Sequence, residues 1–291
     1  MELRHLISFV AVADTGSMSN AAIRCHVTQG AISHHIKSLE DELETVLIDR
    51  RSKEAFLTDS GKAFLRRARN IIKEAQESKD EIASLKGHLC GELRIGVGSF
   101  IEPYIRRAGI IFLKRYPDVL LHVQFDHAHV LNKMLRNEEI DLAFTMNTAY
   151  HYEGIESKPC VPFRLSAIMS KRNKFADKDS VSFDDLMECK VIMPDVGERV
   201  FNTFQRYTDF DLSKLPVAAI VSNASAALMA LDELDFVTFL PSDFVISSHN
   251  LVAKPIEGLD MQLMSNAHWM KYSPLKASAK AFLAVLDELQ K

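Results

Sequence analysis

The sequence predicts an α/β protein in three parts: an N-terminal winged helix-turn-helix, a long dimerisation helix, and a C-terminal α/β region of two subdomains. Three observations predict it. Three short amphipathic segments precede a brief β-prone, basic stretch within the first 58 residues. A proline-free helical pattern then runs from Thr58 to Gly87. From residue 91 onward strand and helix patterns alternate to the end.

Residues 2–13 form the first helical pattern, with apolar Leu3, Leu6, Ile7, Val10 and Val12, and Gly16 ends it. Ser17 or Ser19 then caps a short helix holding Ala21, Ala22 and Ile23. Two helices that cross steeply need small side chains where they touch, and the Ala21–Ala22 pair supplies them. Thr28 is a suitable N-cap for a third helix, TQGAISHHIKSLEDEL, whose Ile32, Ile36, Leu39 and Leu43 make one stripe. Its other side shows Gln29, Ser33, His34, Lys37 and Ser38. The stretch VLIDRRSKEAFLT fits a two-stranded wing with a basic bend.

A third helix of this kind enters the DNA major groove with its N-terminal residues toward the base edges. Gln can bond adenine through two contacts, while Ser and Lys suit base edges or phosphates. Candidate DNA contacts are therefore Thr28, Gln29, Ser33, His34 and Lys37 on the helix, with Arg50, Arg51 and Lys53 on the wing. The whole chain has a net charge of −4, which argues against bulk nucleic-acid binding. The distribution is uneven, however. Arg50, Arg51, Lys53, Lys62, Arg66, Arg67, Arg69 and Lys73 are opposed in their stretch by Glu54 and Asp59 alone. Such a run equally suits a solvated helix face.

Within the long helix, Phe64, Ala68, Ile71, Ala75, Ser78, Ile82 and Leu85 alternate spacings of four and three, a heptad seam. A lone helix of this length is poorly stable in water, so the seam meets a partner helix or its own domain. A dimer would also double the few phosphate contacts one small head can make.

Gly87 and Gly91 mark a boundary. Beyond it ELRIGV, VLLHVQF and IDLAFTM read as strands between helices, and LSAIMS, KVIMP, VAAIVS and DFVTFLP repeat the scheme, with ERVFNTFQRYT as one of the helices. The alternation predicts parallel sheets. The expected domains are residues 1–58, 59–87 and 91–291, the last split into subdomain I (about 91–161 and 266–291) and subdomain II (about 162–265). The chain should cross near 160–165 and return near 257–265.

FVAVADTGSMSNAA, VTQGAIS, IKSLEDEL, the Arg50 wing and LTDSGKAFL, at their spacing, resemble the N-terminal signature of LysR-type regulators. Cys25 stands where that family usually has leucine, Glu44 where it has glycine, Ile48 where it has phenylalanine, and Gly30 where proline or serine is common. The C-terminal part resembles the family's effector domain, itself similar to periplasmic binding proteins, and departs from it at LDELDFVTFLP. The resemblance spans nearly the whole chain. It implies a ligand-responsive transcription regulator that pairs through residues 59–87 as a dimer or tetramer, binds double-stranded promoter DNA, and can contact RNA polymerase.

Ligands of open α/β sheets lie outside the carboxyl ends of the strands. The candidates there are Ser99, Phe100, Thr145, Met146, Asn147, Ser222 and Asn223, with Ser225 beside them. Free N–H groups at a helix start could hold a carboxylate. Ser99, Ser222 and Asn223 could instead be helix caps, and Phe100 and Met146 core packing.

Other features point to simpler roles. His34–His35 reads as an exposed polar face, His127–His129 as an H-x-H strand pair without a third ligand, and Asp184–Asp185 as a charge at a helix start. Cys25, Cys90, Cys160 and Cys189 form no C-x-x-C pair, so neither disulfides nor a zinc knuckle are expected. No metal and no cofactor beyond a small-molecule effector are expected. Nucleotide-binding, serine-hydrolase and zincin signatures are absent from the sequence, so an enzyme is not expected. The N-terminus lacks a basic leader and a cleavage pattern, and no apolar run is long enough for a membrane span, so a cytoplasmic location is expected. A periplasmic-type solute-binding protein would explain the C-terminal half but not residues 1–60.

Overall fold

The structure, a computed structural model, describes residues 1–49, 56–146, 153–195, 205, 208, 210–222, 224–246, 248–259, 262–273 and 275–290. The chain divides into two compact units, Met1–His88 and Leu89–Lys291.

The first unit contains α1 (Leu3–Thr15), α2 (Met18–Cys25), α3 (Gln29–Glu42), a strand pair β1 (Ile48–Asp49) and β2 (Phe56–Leu57), and α4 (Asp59–Leu85). Gly16 closes α1 at φ +64, and its N–H reaches the Val12 carbonyl. Of the two serines considered as cap for α2, Ser17 serves, accepting the Asn20 amide. Thr28 caps α3 by accepting the Ala31 amide. The core gathers Leu6, Phe9, Val12, Ala21, Ala22, Ile32, Ile36 and Leu39. Phe9 is a core residue that the apolar spacing of α1 did not single out. Leu3, Ile7, Ile23 and Leu43, counted as apolar-face residues, are instead exposed. Leu43 is the C-cap of α3, where the helix turns away from the core.

Two details set the entry to the wing. One Glu40 carboxylate oxygen accepts the amides of Leu47 and Ile48 at 2.9 and 3.1 Å. Glu44 has φ +51, a conformation that glycine adopts without steric cost and other residues do not. This gives a physical meaning to the glycine that the resemblance would put there. Gly61, in the first turn of α4, lies so close to the wing that a Cβ would stand 2.1 Å from the Leu47 carbonyl oxygen. No other residue fits at that crossing.

The seam of α4 divides in two. Phe64 and Ala68 pack on the core of their own unit, and the Phe64 ring stands 5.4 Å from Phe9. Ile71, Ile82 and Leu85, farther along, are exposed.

The second unit carries two five-stranded sheets. Sheet I has the order β4-β3-β5-β12-β6, from β3 (Gly91–Val97), β4 (Val119–Phe125), β5 (Leu142–Met146), β6 (Ile155–Phe163) and β12 (Leu263–Met270). Sheet II has the order β11-β7-β10-β8-β9, from β7 (Leu165–Ser170), β8 (Lys190–Pro194), β9 (Val217–Val221), β10 (Phe236–Pro241) and β11 (Leu251–Lys254). The helices are α5 (Glu102–Arg115), α6 (Ala128–Arg136), α7 (Phe183–Met187), α8 (Ala224–Glu233) and α9 (Ala277–Glu288). Most of the expected helix ERVFNTFQRYT lies outside the described residues.

Neither sheet is purely parallel, which corrects the expectation from alternation. β3, β4 and β5 are parallel, as are β8, β9 and β10. β6, β7, β11 and β12 all pair antiparallel. These four lie beside the two passages of the chain between the sheets, at Arg164 and between residues 254 and 263. A strand that passes straight from one sheet to the other lacks the crossover connection that parallel pairing requires.

Candidate functional site

The first unit presents α3 as a two-sided element. Ile32, Ile36 and Leu39 are fully buried on one side. Gln29, Ser33 and Lys37, four residues apart, follow one line along the other, because side chains at i and i+4 stack on one helix face. Thr28, Gln29, His34 and Lys37 are exposed, and Ser33 is half-buried. Thr28 uses its hydroxyl oxygen as the helix cap. Gln29 accepts a hydrogen bond from the Ser19 hydroxyl at 3.2 Å, which ties the start of α3 to α2. Arg50, Arg51 and Lys53 lie outside the described residues.

His35 does not belong to the exposed face expected for the His34–His35 pair. It turns inward, with Nδ1 2.7 Å from the Ser8 hydroxyl and its ring 5.0 Å from His5. Desolvation, with the His5, Arg4 and His34 charges, lowers its pKa, so the neutral imidazole fits between α1 and α3.

The second unit holds a recess of about 470 Å³ at the carboxyl ends of β3, β4 and β5. Its walls include Ser99, Phe100, Thr145 and Met146 from the expected set, and Asp126, His127 and Ser265 besides. The fold explains the gathering. β3 lies between β4 and β5, so the residues after all three strands meet. Ser265 arrives on antiparallel β12, opposite Met146, at a break in register between Ser265 and Asn266. Ser222 is exposed after β9 and does not line this recess; Asn147 and Asn223 lie outside the described residues.

Thr145 and Phe100 both have structural partners. The Thr145 hydroxyl is 2.9 Å from His268 Nε2, and the Ser157 hydroxyl is 2.7 Å from His268 Nδ1. Burial holds the His268 imidazole down at about 4, so a neutral ring links the two hydroxyls behind the recess. Phe100 leaves sheet I and packs into the core of sheet II, 5.7 Å from the Phe163 ring. Two polar contacts also join the subdomains. The Tyr104 hydroxyl donates to Asp243, and His127 Nε2 lies 3.7 Å from Asp195.

Sequence reasoning missed Ser265, Asp126 and His127 as wall residues. Ser265 had a faint signal, because Ser265, Asn266 and His268 interrupt an otherwise apolar strand. His127 is the residue before α6 rather than part of a strand, which corrects the H-x-H strand expectation; its ring stacks on His129 at 5.9 Å. Among the described residues, no group of three or more His, Cys, Asp or Glu could hold a metal ion. Asp185 behaves as a helix-start charge should, completing a capping box with Ser182 and pairing with Lys178.

A helix-turn-helix in one unit and a two-subdomain α/β fold with a recess in the other define a DNA-binding regulator with a sensing domain. Residues 3–62 match the bacterial regulatory helix-turn-helix protein of the lysR family, and residues 86–291 match the LysR substrate binding domain. The chain belongs to the LysR family and is a ligand-responsive transcriptional regulator. It is 26% identical over 297 residues to the HTH-type transcriptional regulator BsdA of Bacillus subtilis (strain 168), covering 97% of this chain and 99% of that one. It is 28% identical over 207 residues to the RuBisCO operon transcriptional regulator of Allochromatium vinosum, covering 71% and 68%. Its fold is similar to that of full-length CbnR solved with target DNA, with a TM-score of 0.69 at 23% identity over 99% of each chain.

Proposed function

We propose that the chain reads promoter DNA through the outer face of α3 and takes its effector in the recess of the second unit. The observation that carries the first part is the line Gln29, Ser33 and Lys37 opposite the buried stripe Ile32, Ile36 and Leu39. Gln29, Ser33, His34 and Lys37 form the reading face, while Thr28, Arg50, Arg51 and Lys53 position the head on phosphates. The chain acts as a homodimer, or a tetramer built from dimers, through α4. Exposed Ile71, Ile82 and Leu85 support this reading, because a helix keeps such a seam where a second helix covers it. The target is then an interrupted dyad with half-sites a whole number of helical turns apart.

Ser99, Thr145 and Ser265 bind the effector's polar groups, with Phe100 and Met146 against its body, and Asn147, Ser222 and Asn223 at the rim. An effector that favours one relative position of the two subdomains shifts the spacing of the two DNA heads, and with it the contact with RNA polymerase. The protein works by binding rather than turnover, in the cytoplasm where its DNA lies. A peroxide-sensing reading at Cys160 or Cys189 is less favoured. Burial pushes the Cys160 thiol up to about 12 and raises that of Cys189, so neither supplies a thiolate at neutral pH.

The test is a mobility shift with DNA from upstream of the chain's own gene. The wild type gives a specific complex, and Ser33→Ala loses specificity while retaining weak, salt-sensitive binding. Unchanged specificity in Ser33→Ala would remove Ser33 from the reading face. Failure of the wild type to bind any upstream DNA would sink the proposal.

A further inference from the structure

Two features of the recess bear on what kind of molecule it accepts. The first is charge. α5 and α6 both begin beside it, and the chain supplies its own carboxylate at each start. Glu102 is the first residue of α5. Asp126 precedes the N-cap of α6, and its Oδ1 accepts the His127 amide at 2.7 Å. A further anion at either start would meet a carboxylate that the chain already places there, although neither side chain caps its helix. Among the described residues that line the recess there is no lysine or arginine. Ser265 is 1% exposed, its Oγ has no hydrogen-bond partner, and it lines the recess. A buried hydroxyl left in this state awaits a polar partner from outside the chain.

The second feature is a neighbouring space of about 490 Å³, open solvent included, lined by apolar side chains including Phe183, Met193, Leu215 and Phe239. Phe100 belongs to the walls of both spaces. An apolar space of this kind favours a hydrocarbon or aromatic body over water.

We propose that the effector is an uncharged hydrogen-bond donor on an apolar body, a phenol being the simplest representative, with its donor head beside Ser265 and Asp126 and its body past Phe100 in the apolar cavity. This rests on the reading of the recess as the effector site. A carboxylate accepts hydrogen bonds and cannot donate them, so Asp126 suits a hydroxyl or amide N–H. A carboxylate effector would set a second anion beside Asp126, with no lysine or arginine among the described lining residues to answer it. This departs from the carboxylate that a helix start alone suggests.

The experiment is calorimetric titration of the full chain at pH 7 with phenol, 4-propylphenol and 4-propylbenzoate. At that pH the phenols are neutral and the benzoate is anionic. 4-Propylphenol should bind at least about tenfold more tightly than 4-propylbenzoate. Removing the propyl group should weaken binding roughly ten- to fifty-fold, from the loss of buried methylenes. Ser265→Ala should weaken 4-propylphenol about tenfold, and Asp126→Asn should narrow the gap between phenol and benzoate. Circular dichroism confirms that each variant is folded. Equal or tighter binding of 4-propylbenzoate to the wild type would overturn the donor class while leaving the recess as the site. Probe binding that ignores Ser265→Ala, Asp126→Asn and a cavity-filling Leu215→Phe would overturn the recess itself. No binding of any of the three probes up to their solubility limits would overturn the proposed class.

Discussion

The outer face of α3 and the recess of the second unit are both polar, but they spend their hydrogen bonds differently. On α3, His34 and Lys37 are exposed and Gln29 makes one surface bond to Ser19. In the recess, Thr145 is held by a buried histidine and Asp126 by the His127 amide, which leaves Ser265 as the buried hydroxyl without a partner. A surface that reads a long polymer keeps many donors and acceptors open to solvent. A site for a small molecule holds its walls rigid with internal bonds and leaves few groups for the ligand.

Four changes would break or sharpen that contrast. The largest effect is expected from Gly61→Ala, which drives a Cβ into the Leu47 carbonyl where α4 meets the wing. It should cost the first unit about 3 kcal/mol, at the upper end of overpacking effects. Chemical denaturation of the full chain should then show the first unit unfolding early and the second unchanged.

Next comes the buried histidine. The His268 imidazole titrates near 6.5 unfolded and at about 4 folded. The folded state binds fewer protons in that window, so this contribution is fully present above pH 6.5 and is lost as pH falls toward 4. It amounts to about 3 kcal/mol at most. Stability of the second unit measured from pH 7 to pH 4.5 should fall less steeply in His268→Gln than in the wild type. Equal slopes would show that His268 is not the group responsible.

Gln29→Ala should weaken specific DNA binding by about 1–3 kcal/mol, or roughly five- to 150-fold, through loss of a base contact. Its non-specific binding, dominated by phosphates, should keep the wild-type salt slope. Smallest is Glu44→Gly, which relieves the positive φ before the wing. It should stabilise the first unit by about 1 kcal/mol, visible as a higher denaturation midpoint without altered DNA specificity.

The two regions also differ in how far the sequence reveals them. The α3 face follows from local rules. A cap at Thr28 and the Ile32, Ile36, Leu39 stripe fix which side chains point outward. The positive φ at Glu44 was legible as a departure from a family pattern, though only the backbone explains it. The recess was half legible. Strand ends locate Ser99, Phe100, Thr145 and Met146, because sheet topology places such ends together. Ser265 and the His268 network were not legible. His268 bonds to residues 123 and 111 positions away, and no local period encodes such pairs. The antiparallel strands were missed for the same reason, since their direction depends on where the chain changes sheets.

The central claim is that α3 reads bases and the second unit senses a ligand. Quantitative footprinting of the upstream DNA with wild type and Gln29→Ala, each across a salt series, tests its first half most directly. The account predicts wild-type protection of two half-sites a whole number of helical turns apart, and loss of that pattern in Gln29→Ala with non-specific affinity unchanged. Identical protection by both proteins would contradict it.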